Sequence, residues 1–525
     1  MVATSHGLAS ESGAAALRRG GSAVDAAIAA NAMLAVAYPH MCGLGGDAFW
    51  LIHDPKTGRV EGLEAAGQAA AKATIEYYRS QGCRDAIPPR GPLAALTVPG
   101  AVDSWREVHE RHGKLEWASL FDDAIRAARD GIIPTAKLSA WIAGSSADVA
   151  SRPELAQIFR ARGAIRNPAL AATLETIAQH GARAFYDGEI ARRICGALGP
   201  RGSPLAPEDF AAYRAGWVAP ISTGYRGLML HEMPPPTQGV APLAIANLLE
   251  GFDLAAMGEG TAAHYHHVAE AVKLAYADRD EFVTDPRFED VPVAAMIDKS
   301  YAAKRRALID PSRALSDDEI EPGIVRAPRT ARRMPSGDTC YFCAVDRDGL
   351  AASVIQSLYF DFGSAELGGD TGVILQNRGT FFSLDENHPN RLAPGKRTFH
   401  TLIPAMLTKN GKPWAVFGSM GGEGQPQTHI ALLTRMVDFA MDAQAAISAP
   451  RFLLGRTWGE ATQALMIESR VGEAVARELQ RRGHKVAMAG AWEEAMGHAQ
   501  AIRILDDGSL EGGADPRGDG AAVAP

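Results

Sequence analysis

A strand pattern that begins abruptly at Thr339 constrains this chain more than any other feature. The preceding run, Ser316 to Asp338, is polar and rich in proline and arginine without periodicity, which predicts an exposed, mobile segment suited to chain scission. Thr339 to Asp346 then reads as a strand, Arg347-Asp348-Gly349 as a turn, and Leu350 to Tyr359 as the returning strand. A cut between Asp338 and Thr339 would place a hydroxyl and a free amine on one residue, the nucleophile and general base of a one-residue hydrolase. An α-amino group titrates at about 7.7–8.0, so it can accept the hydroxyl proton near neutral pH.

The texture on the two sides of this point differs. Ser22-Ala23-Val24-Asp25 is a capping-box start for a helix apolar on nearly all sides up to Val36, ended by Pro39. Ala48 to His53 reads as one arm of a hairpin that turns at Pro55-Lys56-Thr57-Gly58. Helical patterns dominate from Ala101 to about Ile320, the longest from Ala262 to Val283. Beyond Thr339, hairpins recur: Thr401 to Lys409 with Pro413 to Met420 around Asn410-Gly411, and Ala499 to Leu505 with Ser509 onward around Asp506-Asp507-Gly508. Helices first and hairpins second predict a layered α+β body in which helices cover sheets.

Of the 525 residues, 46% are hydrophobic and 22% charged, and no low-complexity linker divides the chain, so one large or two intimately packed units are expected. The 53 basic and 61 acidic residues are evenly mixed, which excludes a nucleic-acid footprint and favours a small-molecule partner. Five scattered cysteines argue for a reducing compartment. Met1 to His6 reads as a strand end leading into a helix rather than a leader, and the apolar run Ala26 to Tyr38 is too short for a bilayer and contains Asn31. A cytoplasmic protein without membrane attachment is expected; a few native residues ahead of Met1 are compatible with this beginning.

Gly418-Ser419-Met420-Gly421-Gly422-Glu423-Gly424 can present bare N–H groups to an anionic oxygen; as a tight turn it would need no function. Neither this run nor Gly43-Leu44-Gly45-Gly46 has phosphate-loop spacing. Cys340 and Cys343 on a strand point to opposite faces, which predicts two buried thiols instead of a redox or zinc pair. His264, His266 and His267 lack a zinc motif around them and are read as solvated or capping.

Several separated stretches in order resemble the gamma-glutamyltransferase family of N-terminal-nucleophile hydrolases nearly end to end. They are Gly20 to Ala27, Leu44-Gly45-Gly46-Asp47, Met233-Pro234-Pro235-Pro236, Ala275-Tyr276-Ala277-Asp278-Arg279, Asp338-Thr339 and Gly421-Gly422. The resemblance implies a four-layer αββα sandwich and autocatalytic cleavage into a large subunit, 1–338, and a small one, 339–525, that remain together as one composite domain. It is compatible with a dimer of that heterodimer. By position it makes Thr339 the nucleophile and, through its amine, the base, gives Gly421 and Gly422 the oxyanion, and sets Ser357 where a second hydroxyl bonds the nucleophile. No metal or organic cofactor is implied.

The departures bear on the substrate. Where glutamyl-processing members carry an arginine for the substrate α-carboxylate, this chain has Ala66; their acidic residue falls on Thr380 or Phe381, their asparagine on Tyr359, and their serine pair on His400-Thr401. A zwitterionic glutamyl head would there be buried with its charges unpaired. Ile355 to Tyr359, Gln376-Asn377-Arg378-Gly379, Phe399 to Leu402, Gly421 to Thr428, Leu454 to Gly459 and Glu494 to His498 resemble the oxamate-hydrolysing members of the family. A small amide with one carboxylate is therefore the expected substrate, met by Arg378, His400 or Arg456, with Tyr359, Thr401 and Gln425 completing the pocket. The alternatives are a gamma-glutamyl hydrolase or transferase, a side-chain acylase for β-lactam amides, and a non-catalytic or nucleotide-binding scaffold built on the glycine loops.

Overall fold

The structure, a computed structural model, describes residues 1–144, 152–159, 163–324, 337–455, 462 and 464–525. Seven strands form one sheet: β1 (Val2–Thr4), β2 (Asp47–Asp54), β3 (Arg59–Ala65), β4 (Gly216–Val218), β7 (Asp338–Val345), β8 (Ala351–Tyr359) and β16 (Ala521–Val523). Their order is β16-β1-β7-β8-β2-β3-β4, so the strand that opens with Asp338-Thr339 lies inside the sheet. A second sheet holds β5 (Ile221–Tyr225), β6 (Leu228–Glu232), β9 (Ala405–Lys409), β10 (Lys412–Ser419), β14 (Ala499–Ile504) and β15 (Leu510–Ala514), in the order β15-β14-β10-β9-β6-β5. A small third sheet joins β11 (Phe452–Leu454), β12 (Leu465–Glu468) and β13 (Val486–Ala489).

Side-chain alternation divides each large sheet between two cores. Phe49, Leu51, Tyr341, Cys343 and Ile355 of the first sheet meet Met406, Val416 and Ile502 of the second in a layer between them. The opposite parity, Ala48, Trp50, Ile52, Cys340, Phe342 and Val354, packs under the helices Gly7–Arg18, Ala23–Ala37 and Ala101–His112. On the far side, Leu230, Leu407, Ala415, Phe417 and Ala501 support the helices Val240–Leu249, Ala262–Phe282 and Gln425–Val437. Helix, sheet, sheet and helix are stacked, the four-layer αββα sandwich expected from the resemblance. Cys340 and Cys343 fall in different cores, as their parity requires.

Helix Ala23–Ala37 is buried at every residue, with the capping box closed between Ser22 and Asp25. Its one amide, Asn31, donates to Gln356 Oε1 at 2.6 Å and accepts from Trp105 Nε1 at 2.7 Å, so a polar group is tolerated there because both its ends are satisfied. Strands β4, β5 and β6 fall in a stretch expected to be helical. They are three to five residues long and hold together through distant partners, β4 through β3 and β6 through β9. Their formation depends on cross-strand pairing more than on local propensity. Strand β9 starts at Ala405 instead of Thr401, after Pro404, which has no N–H to give a ladder. Among the described residues no helix is long and apolar enough to cross a membrane. Residues 325–336 of the expected scission segment lie outside the described residues.

Candidate active site

Thr339 is the second residue of β7 and is fully buried. Pairing with β8 runs Asp338 to Tyr359 and then Cys340 to Gln356, so Thr339 alone faces Ser357 and Leu358, a bulge in the returning strand. Alternation from Cys340, which faces the helices, turns Thr339 toward the space between the sheets. Asp47 and Ser357 are cross-strand partners. The bulge ends at Tyr359 in a left-handed conformation, φ 85°, unusual for a bulky residue, and its N–H donates to Ser357 Oγ at 2.7 Å. The Tyr359 ring covers Gly337: a Cβ there would lie 2.2 Å from it, so only glycine fits two residues before Thr339. Thr339 Oγ1 has no hydrogen-bond partner among the described residues, an orphaned buried hydroxyl of the kind that marks function more often than stability.

Beside it lies a buried cation. Arg378 begins a single 3-10 turn, Arg378–Phe381, and is fully enclosed. It donates to Ser357 Oγ at 3.1 Å and to Thr401 Oγ1 at 3.2 Å, and its guanidinium sits 4.4 Å from the Tyr359 ring centre. Its Nε finds no acceptor among the described residues. Burial pulls its pKa down to about 10, against the pull of Tyr359 and Asp47. The Tyr359 ring also meets Phe360 at 4.4 Å and Phe381 at 4.5 Å, and Phe381 meets Phe399 at 5.5 Å, so one wall is aromatic.

Asp47 is the second buried charge. Its carboxylate accepts from Gly67 N, Gly100 N and Gln376 Nε2 at 2.9, 3.2 and 2.9 Å, and from His400 Nε2 at 3.1 Å. Burial raises its pKa to about 6 despite these donors and Arg378. Burial, then Arg378 and Arg397, hold His400 well below the ordinary imidazole value, so the ring is neutral and donates to Asp47. Ala66, at the exit of β3, contributes only a methyl to the core between the sheets.

The glycine turn is fastened from the second helical layer. Gly421 and Gly422 have φ 130° and 52°, and Gly424 N closes the turn on Gly421 O at 2.7 Å. Gln238 Nε2 donates to Gly422 O at 2.9 Å and to Thr401 O at 2.8 Å, while its Oε1 accepts from Arg279 Nη1 at 2.9 Å. Arg279 lies against the Tyr276 ring at 3.7 Å, and Tyr276 Oη donates to Glu423 O. Gln425 Oε1 accepts from Ile403 N at 3.2 Å and its buried Nε2 is left without an acceptor. Polar links thus run from Ser357 through Arg378, Thr401 and Gln238 to Gly422. The strands agree: a Cβ at Gly418 would lie 2.4 Å from the Tyr341 ring, so the end of β10 rests directly on the start of β7.

The structure therefore gathers Thr339, Ser357, Tyr359, Arg378, His400, Thr401, Gly421, Gly422 and Gln425 from the expected set. Asp338 pairs with Tyr359 at the start of β7. Arg456 lies outside the described residues. Asp47, Gln376, Gln238 and Arg279 carried no assigned role in the sequence, although each sits in or next to a recognised stretch; spacing alone does not reveal what a glutamine two sheets away will hold. The three histidines read as solvated or capping are buried instead. Only His264 keeps a capping contact, accepting from Gly260 N at 3.3 Å.

A sandwich of two sheets between helical layers, with a buried threonine entering an inner strand near a glycine turn and a buried cation, defines the chain as an N-terminal-nucleophile hydrolase. The crystal structure of cephalosporin acylase from Bacillus halodurans superimposes with a TM-score of 0.89 at 37% identity, covering 99% of this chain and 94% of that one. The family model described as gamma-glutamyltranspeptidase matches residues 9–524, and the chain belongs to that family. It is 44% identical to the glutathione hydrolase-like YwrD proenzyme of Bacillus subtilis (strain 168) and 41% identical to the oxamate amidohydrolase proenzyme of Klebsiella pneumoniae, each over 100% of this chain and 98% of the relative.

Proposed function

We propose that the chain is a proenzyme that cuts itself between Asp338 and Thr339 and then hydrolyses a small carboxylate-bearing amide, oxamate first among them, to the acid and ammonia. In the cut, Thr339 Oγ attacks the Asp338 carbonyl carbon, the acyl group passes from nitrogen to oxygen, and water hydrolyses the ester, leaving a free α-amine on Thr339. In turnover the same oxygen attacks the substrate amide and its proton passes to the amine. Gly421 and Gly422 N–H groups hold the tetrahedral oxyanion; collapse expels ammonia, protonated by the amine, and water releases the threonyl ester by the same groups. Ser357, held between Arg378 and the Tyr359 N–H, orients the nucleophile.

Arg378 is the group assigned to the substrate carboxylate, and its geometry carries the reading. It is an enclosed guanidinium with a free Nε, next to the threonine's neighbour Ser357 and short of a full counter-charge. His400 is neutral and committed to Asp47, so it shapes the pocket and does not pair the anion. Ala66 at the arginine position and the aromatic residues Tyr359 and Phe381 suit a flat, amino-free substrate better than a glutamyl head. The cut products would not part. The large fragment supplies β1 to β4 of the first sheet and β5 and β6 of the second, and the small fragment supplies β7, β8 and β16 of the first and β9, β10, β14 and β15 of the second, with β7 and β8 inserted between β1 and β2.

The similarity to a glutathione hydrolase-like protein favours one rival, glutamyl hydrolysis. Mass spectrometry of the purified protein should find a chain beginning at Thr339, and oxamate should release ammonia faster than a γ-glutamyl anilide releases its chromophore. The reverse order of rates would overturn the substrate, and an uncut, inactive chain would overturn the mechanism.

A further inference from the structure

A second set of chemistry-bearing side chains lies in the outer helical layer. His266 and Glu270 stand one turn apart on helix Ala262–Phe282, and His484 follows helix Glu473–Arg481 just before β13. The three are buried, none more than 6% exposed. His266 Nδ1 is 2.8 Å from His484 Nε2, that nitrogen is 3.9 Å from Glu270 Oε1, and one ligand atom from each lies within 4.8 Å of the others. From His266 to Arg279 the helix rises about 20 Å, so this cluster is remote from the glycine turn.

Two of the three are braced from behind as metal ligands are. His266 Nε2 donates to Asp310 O at 2.8 Å, which turns Nδ1 to the common centre. Glu270 Oε2 accepts from Leu315 N at 2.8 Å, which leaves Oε1 facing the histidines. Oε1 is paired with the ammonium of Lys273 at 2.7 Å. Lys273 is 11% exposed and its Nζ also donates to Leu315 O at 3.0 Å, so the cation paired with Glu270 has a way out to solvent; Arg313 and Arg482 stand farther off.

We propose that His266, Glu270 and His484 form a binding site for a divalent transition-metal ion of the zinc type, with two imidazole nitrogens and one carboxylate oxygen as ligands and water in the fourth position. Imidazole with carboxylate suits zinc geometry, and the ion replaces Lys273 as the partner of Glu270. His266 and Glu270 precede Thr339 in the chain and His484 follows it. If the chain is cut there as proposed above, the ion ties the two fragments together, but its binding does not require the cut.

The alternative is a hydrogen-bonded histidine pair beside an ordinary ion pair. The two separate when untagged, full-length protein, stripped with chelator and dialysed, is titrated with Zn²⁺ against a chromogenic zinc indicator. One ion per chain with sub-micromolar affinity is expected, weakened about 100-fold or more in H266Q and H484Q. In K273M, which removes the competing ammonium, binding should tighten about 10-fold at neutral pH; this variant carries the test if the histidine variants fail to fold. Zn²⁺ should also raise the melting temperature of the wild type but not of H484Q. Absence of stoichiometric binding, affinity unchanged in H266Q or H484Q, or weaker binding in K273M would each overturn the site. The uncut T339A chain should bind one ion as well, so failure of the cut and failure of the site read out separately.

Discussion

Replacing Arg378 by methionine tests the substrate assignment and its energetics together. Burial lowers the guanidinium pKa from its ordinary value to about 10, a cost to the charged form of about 3 kcal/mol at 1.36 kcal/mol per pKa unit. Against this stand two charge-assisted hydrogen bonds, to Ser357 and Thr401, worth about 1.5–3 kcal/mol each. The terms nearly cancel, and methionine fills a similar volume, so R378M should fold with a stability within about 2 kcal/mol of the wild type. Substrate binding should not cancel. A carboxylate brought into this enclosure without its cation forfeits about 2–5 kcal/mol, roughly 30- to 5,000-fold in kcat/KM, carried mostly by KM. Ammonia release from oxamate measures this, and oxamide, which lacks the carboxylate, provides the control, since its turnover should change little. Mass spectrometry must first establish that R378M is cut. A cut R378M with an oxamate KM within twofold of wild type would refute the carboxylate role, and Arg378 would then be a brace for Ser357.

Three further outcomes are expected. T339A should remain a single uncut chain of 55.6 kDa on a denaturing gel, with no ammonia release; T339S should still be cut. Q238L takes a donor from the Gly422 and Thr401 carbonyls and an acceptor from Arg279, although Gly422 O keeps Gln425 N–H and Arg279 keeps Asp280, so kcat should fall about 5- to 150-fold, at about 1–3 kcal/mol, with KM nearly unchanged; a purely KM effect would argue against a link to the glycine turn. Asp47 titrates near about 6 in the folded protein against 3.8 unfolded. Between those values the native state holds a proton that the unfolded chain has lost, so its contribution to stability falls as pH rises through the window, by about 3 kcal/mol in all. Urea denaturation at pH 4.5 and 6.5 should therefore show D47N gaining on the wild type at the higher pH; the opposite trend would mean that Asp47 is held ionised.

How much of the site was legible depends on how local each signal is. The Ser22–Asp25 capping box, the buried helix after it, the hairpins around Asn410-Gly411 and Asp506-Asp507-Gly508, and the split of Cys340 from Cys343 are set by periods of 3.6 and 2 or by turn chemistry within a few residues. The short strands β4 and β6 were read as part of a helical stretch because β3 and β9, which they pair with, are far away in the chain, and β5 is held at the edge by β6 alone. The histidines were misread for a related reason: His264 and His267 share the spacing that sequence can see, but the neighbour that matters to His266 is His484, 218 residues on.

By itself, the sequence determined the order of layers, the position of the strand that begins at Asp338-Thr339, and the family, because separated motifs in a fixed order survive without knowledge of distances. Only the tertiary structure decided that Arg378 is enclosed beside Ser357, that His400 is spent on Asp47, and that Gln238 and Arg279 fasten the Gly421-Gly422 turn. The physical reason is that burial, and with it pKa and hydrogen-bond saturation, is a property of what packs against a residue from other elements. Arg378 and Arg397 are alike as letters. One is sealed with a vacant Nε beneath an aromatic ring, and the other is paired with Glu64 and Asp285.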